Sequence, residues 1–135
     1  MFVLDCSVTL AWFMPDEDDG YADRVLELLT TQQAIVPTIW HLEVMNVLLT
    51  AVRKGRIELD NVTAILTSLK RLNITTQVRS PRIDDSALLA FAHEHALTLY
   101  DAAYLHLALH EHLPLATLDR KMAATARQLG RFLES

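Results

Sequence analysis

Cysteine is almost missing from this chain: Cys6 is the only one in 135 residues. An internal disulfide and a multi-cysteine zinc site are thereby excluded, and the composition suits a reducing compartment, so a cytoplasmic location is expected. Glycine and proline are scarce, at 3 and 4 residues. No repeat, low-complexity tract or glycine- and serine-rich linker divides the sequence. A single domain over residues 1–135 follows, long enough to bury a core without disulfides or a structural metal. No apolar run reaches the ~18 residues a membrane span needs, so no membrane association is expected. The apolar N-terminus is broken by Asp5, lacks a basic stretch ahead of it and is followed by the acidic run Asp16 to Asp19. It reads as a first strand and helix rather than a signal peptide.

A basic excess is absent as well, the net charge being −5. Nucleic-acid binders usually carry the opposite sign. Carboxylates that hold divalent cations are neutralised when loaded, however, so the charge leaves a nucleic-acid partner open. What is abundant is apolar surface: hydrophobic residues make up 51% of the chain, and the mean hydropathy is +0.19. That points to a large core and to part of the surface serving as an interface.

Short apolar runs alternate with helical periodicity. Phe2 to Leu4 reads as a buried strand ending in Asp5, and Val8 to Met14 as a short helix stopped before Pro15. Tyr21 to Leu29 is a helix with Asp18 and Asp19 ahead of it, and Ala34 to Val36 a second strand. Ile39 to Val52 is an apolar helix closed by Arg53, Lys54 and Gly55. A helix over 59–72, a strand over 74–78 and helices from Asp84 or Asp85 to His95 and from Thr98 or Leu99 to His110 follow. Leu115 to Leu118 reads as a strand and Arg120 to Leu129 as a helix capped by Gly130. Phe132 and Leu133 are candidates for an edge strand. Helices between strands imply an α/β fold with a mostly parallel sheet. In such sheets ligands bind beyond the carboxyl ends of the strands, where Asp5 and Asp119 fall.

Asp5, Asp101 and Asp119 each have a second reading as helix caps, Asp101 through the spacing Thr98-Leu99-Tyr100-Asp101. Glu43 is harder to explain that way. Its helical neighbours are Ile39, Trp40, Asn46 and Val47, and no Lys or Arg lies close in sequence to pair with it. A carboxylate on such a face is costly unless a cation or hydrogen bonds compensate. One chemistry accounts for all four acids: Mg²⁺ and similar hard cations prefer carboxylate and water oxygens. An ion held this way activates water for phosphodiester hydrolysis without a Ser, Cys or His nucleophile.

The local settings make the pattern specific. They are Phe2-Val3-Leu4-Asp5-Cys6-Ser7-Val8, Glu43-Val44-Met45-Asn46-Val47-Leu48, Tyr100-Asp101-Ala102-Ala103-Tyr104 and Ala116-Thr117-Leu118-Asp119-Arg120-Lys121-Met122. In order, spacing and length this chain resembles the PIN-domain ribonucleases, most closely the VapC toxins of type II toxin–antitoxin pairs. The resemblance implies a three-layer α/β/α domain with a central, mostly parallel sheet and the four acids at one pocket. It implies an endoribonuclease dependent on Mg²⁺ or Mn²⁺, a homodimeric assembly and inhibition by a cognate antitoxin protein. By the matched positions Asp5, Glu43, Asp101 and Asp119 would be metal ligands, directly or through water. Ser7 and Thr117 would be polar support and Asn46 an outer residue. Beyond Asp119 the only further acid is Glu134, so a fifth ligand is not expected.

Other constellations carry less. His106 and His110 are one helical turn apart, but Leu107 stands where an HExxH metalloprotease has Glu, so exposed helix histidines are the better reading. His41 lies beside Glu43 in sequence and is expected to face away. Arg120 and Lys121 are candidates for substrate phosphates or simply a solvated helix start, and Arg53, Lys54 and Arg56 read as a helix end. The run Asp16 to Asp19 is expected to be solvated, and Trp12, Phe13 and Met14 to be core or interface. Two other functions stay open: a haloacid-dehalogenase-type phosphatase, which would need Asp where Ser7 stands, and a PIN-like scaffold that only binds protein.

Overall fold

Residues 1–14, 19–77 and 84–134 are described by a computed structural model. Strand β1 (Phe2–Leu4) is followed by α1 (Cys6–Ala11), α2 (Gly20–Leu28) and β2 (Ala34–Val36). Then come α3 (Ile39–Arg53), α4 (Leu59–Lys70), β3 (Ile74–Thr76), α5 (Asp85–Glu94) and α6 (Leu99–His110). Strand β4 (Leu115–Ala116) and helix α7 (Arg120–Gln128) complete the order.

The sheet order is β3-β2-β1-β4, and every pairing is parallel. Val3 stands opposite Ile35 on one side and Leu115 on the other, so β1 is the central strand. Phe2, Val3 and Leu4 are completely buried, as expected of a strand covered on both faces. From β1 the chain steps through β2 to β3, then returns across the sheet to place β4 on the far side of β1. Right-handed crossovers put the helices of the outward steps on one face and those of the return step on the other. The reversal opens a crevice between the carboxyl ends of β1 and β4.

Helix α3 buries Trp40, Val44, Leu48 and Ala51 along one stripe. It leaves Leu42, Met45 and Leu49 exposed on the opposite side, in line with the expected apolar surface. Trp40 Nε1 donates to Thr9 Oγ1 at 3.1 Å, tying α3 to α1. Helix α6 is buried over much of its circumference through Ala102, Tyr104, Leu105, Leu107 and Ala108, the pattern of a helix packed into the core.

The elements match the expected order, with shifts at their ends. Helix α1 begins at Cys6, directly after Asp5, instead of at Val8. Strand β4 stops at Ala116 rather than Leu118, because Thr117 already turns its hydroxyl onto Asp5. Phe132 forms a single parallel bridge to Leu115 instead of a full strand. Pro15, Asp16, Glu17, Asp18 and Val78 lie outside the described residues. Asp19 caps α2, accepting from the amides of Tyr21 and Ala22.

Gly130 ends α7 with φ of 68°, and a Cβ there would meet nothing within 4 Å. Replacing it by Ala therefore costs only backbone conformation, about 1 kcal/mol. Urea unfolding of Gly130→Ala should show that loss; an unchanged midpoint would contradict the conformational assignment.

Candidate active site

Asp5 occupies the N-cap position of α1 but its side chain makes no capping hydrogen bond. Its Oδ2 instead accepts from Ser7 Oγ at 2.6 Å and from Thr117 Oγ1 at 2.8 Å. Ser7 Oγ in turn accepts from the Leu118 amide at 3.0 Å, and Thr117 Oγ1 from the Asp119 amide at 3.1 Å. The turn after β1 and the turn after β4 are thus stitched together around one carboxylate. Asp5 is only 4% exposed. Burial pushes its pKa up, the two hydroxyls and the Cys6 amide act against that, and Asp101 adds to the rise.

Asp101 lies in the first turn of α6, where its amide donates to Thr98 Oγ1 at 3.1 Å. That is one half of the capping box expected there. Its carboxyl is raised first by burial and next by the charge of Asp119. Asp119 is exposed and caps α7, its Oδ1 accepting from the Met122 amide at 2.9 Å. A capping carboxylate retains a second oxygen, so capping and ligation are compatible. Glu43 is half-buried on α3. Burial raises its pKa, as do Asp5 and Asp101, while a hydrogen bond from Tyr104 opposes the rise.

Electrostatic influence links Asp5 with Glu43 and Asp101, and Asp101 with Asp119. None of the four forms an ion pair among the described residues. Nor, among the described residues, do any three His, Cys, Asp or Glu side chains stand close enough to grip an ion as they are. An oxygen-only donor set of this kind fits Mg²⁺ or Mn²⁺ rather than zinc. Mg²⁺ keeps several waters and takes few carboxylates directly, so a loosely spaced ring of acids suits it. Carboxylates that raise one another's pKa are strained, and a bound divalent cation would relieve that strain.

The remaining candidates separate clearly. Asn46 is exposed, and its side chain makes no hydrogen bond among the described residues. Arg120 is exposed at the start of α7, while the Lys121 ammonium donates to the Ala96 carbonyl. His41 points to β3, its Nε2 lying 2.6 Å from Thr76 Oγ1. His106 and His110 line a different cavity of about 150 Å³ with Pro37, Ile39 and Leu107. Trp12 donates to the Ala22 carbonyl at 2.8 Å and packs on the core. Glu134 is engaged by Arg127 on the surface, 3.5 Å away.

Tyr104 was not singled out by the sequence. Its hydroxyl donates to Glu43 Oε1 at 2.6 Å. The local signal was a tyrosine three residues after Asp101, on the same helix face. Nothing in the sequence pairs it with a glutamate 61 positions away.

A doubly wound parallel sheet with carboxylates at its reversal point defines an α/β domain with a polyacidic crevice. The chain belongs to the PIN domain family, which matches residues 2–128. Ribonuclease VapC3 of Pyrobaculum aerophilum is 31% identical over 121 residues, spanning 90% of this chain and 91% of that protein. A crystal structure from Pyrobaculum aerophilum superposes with a TM-score of 0.69 at 23% identity, covering 91% of this chain and 84% of the other. A toxin–antitoxin complex from Klebsiella pneumoniae contains a chain with a TM-score of 0.61 at 23% identity, covering 92% and 91%. The resemblance read from the sequence is borne out, as is the α/β fold with its central parallel sheet. Family membership sets the phosphatase reading aside, and Ser7 serves Asp5 as a hydrogen-bond donor where that reading needed a second Asp.

Proposed function

We propose that this protein is a metal-dependent endoribonuclease, the toxin of a toxin–antitoxin pair, acting in the cytoplasm on RNA. The observation that supports the chemistry is buried Asp5 at the sheet's reversal point, within electrostatic reach of Glu43 and Asp101. The relative named Ribonuclease VapC3 supports the activity, and the fold shared with a chain of a toxin–antitoxin complex supports a cognate antitoxin partner. Exposed Leu42, Met45 and Leu49 on α3 support a homodimer or another apolar contact.

Asp5, Glu43, Asp101 and Asp119 would hold Mg²⁺ or Mn²⁺, directly or through water. The ion, when bound, supplies a water acidified for attack and offsets charge on the phosphate. The protein's own contributions are distinct. Ser7 and Thr117 both donate to Asp5 Oδ2 and so fix the orientation of its carboxylate. Arg120, exposed beside Asp119, is placed to meet a phosphate flanking the scissile bond. Lys121 lies near enough to Asp101 to lower its pKa, and its bond to Ala96 holds it at the rim. Asn46 is assigned an outer role, reached only through water.

Incubation with RNA and Mn²⁺, followed by EDTA, tests the proposal. Cleavage should require the ion and should be lost in Asp101→Asn. Cleavage that survives EDTA would sink the metal mechanism. A folded protein that neither cleaves RNA nor gains thermal stability from Mn²⁺ would mark a scaffold that only binds protein.

A further inference from the structure

Helix α6 brings more than one group to the crevice. Asp101 and Tyr104 are three residues apart and share a face. Tyr104 is completely buried, and its hydroxyl donates to Glu43 Oε1 across the gap between α6 and α3 at 2.6 Å. That is a short, charge-assisted hydrogen bond, and Tyr104 is the only donor to Glu43 among the described residues. A glutamate has three side-chain torsions, and the Glu43 carboxylate has no other hydrogen bond among the described residues. The one contact that selects its rotamer is therefore the phenol.

A buried tyrosine needs some acceptor, and a backbone carbonyl would satisfy it equally well. Here the acceptor is an acid of the crevice. We propose that Tyr104 is a positioning residue, anchoring one oxygen of the Glu43 carboxylate so that the other is held toward Asp5 and Asp101 for the metal. The inference rests on the reading of Glu43 as a metal ligand. Tyr104 itself touches neither ion nor RNA; it acts through Glu43. Partners that orient a ligand in this way change metal affinity or activity by about 10- to 100-fold when removed.

The experiment is a calorimetric Mn²⁺ titration of metal-free wild type, Tyr104→Phe, Glu43→Gln and the double variant, with RNA cleavage measured alongside. Phe fills the same volume, so circular dichroism should show a native fold. Tyr104→Phe should weaken Mn²⁺ binding about tenfold while KM for RNA stays unchanged and saturating Mn²⁺ restores most of kcat. The double variant should bind Mn²⁺ no worse than Glu43→Gln alone, because Tyr104 acts only through that carboxylate. Wild-type Mn²⁺ affinity in Tyr104→Phe, beside a weakened Glu43→Gln, overturns the positioning role and leaves the ligand reading standing. Unchanged affinity in Glu43→Gln overturns both. Should Tyr104→Phe not fold, Glu43→Asp decides: it keeps the charge but withdraws it from the hydroxyl. Wild-type Mn²⁺ affinity in that variant overturns the proposal, and a loss comparable to that of Glu43→Gln supports it.

Discussion

Replacing Asp5 by Asn should abolish RNA cleavage without unfolding the protein. The Asn carbonyl oxygen can take the place of Oδ2 and accept from Ser7 and Thr117, so the stitch between the turns after β1 and β4 survives. What is lost is the negative charge at the centre of the crevice. Charge stabilisation by a bound ion is worth several kcal/mol in such hydrolyses, so the rate should fall by about a thousandfold. Stability should move the other way. Asp5 is buried, and both burial and the nearby Asp101 favour its neutral form. A neutral residue there should raise the melting temperature of the metal-free protein, or at least not lower it, while the rise on adding Mn²⁺ disappears. Retained cleavage at a wild-type rate would remove Asp5 from the chemistry. A collapse of the metal-free fold would show that its charge is structural.

The metal-free protein should also be more stable in mild acid than at neutral pH. The carboxyls of Asp5, Glu43 and Asp101 all have raised pKa values in the fold, burial being the first cause for each. The folded chain therefore holds protons that the unfolded chain has already released. Stability from these groups is fully present below the ordinary carboxylate range, at about pH 4. It is lost as pH rises through their raised folded values. Ion-pair-stabilised carboxylates behave in the opposite way, gaining stability over the same interval. Mn²⁺ at neutral pH should cancel the loss, since a ligand bound only by the native state at a hundred times its Kd adds about 2.7 kcal/mol. Thermal melts in EDTA and in Mn²⁺ across this range give the comparison. A metal-free melting temperature that climbs from mild acid to neutrality by the same amount in wild type and in Asp5→Asn would contradict the assignment.

Much of this was legible in the residues themselves. Short apolar runs and period-3.6 hydrophobic patterns placed the strands and helices in their observed order, because burial of a segment or of one helix face is a local property of a sequence. The motifs around Asp5, Glu43, Asp101 and Asp119 identified the PIN domain, because each pairs an acid with the turn or helix that presents it. Element ends were less legible. The sequence extended β4 through Leu118, but the chain leaves the sheet after Ala116 because the Thr117 hydroxyl is needed at Asp5. Capping was equally opaque: Asp5, Asp101 and Asp119 looked alike as helix starts. Yet only Asp119 spends a carboxylate oxygen on its helix, and the Asp5 side chain bonds elsewhere.

Those distinctions depend on which hydroxyl reaches which oxygen across more than a hundred residues, as Thr117 reaches Asp5. The cysteine-poor composition decided that burial rather than cross-linking holds the fold. The order of motifs decided the family. Tertiary structure alone decided that β4 crosses to the far side of β1 and brings Thr117 to Asp5, and that Tyr104 finds Glu43. The reason is physical: hydrophobic pattern encodes which face of an element is buried, but not which neighbour it is buried against.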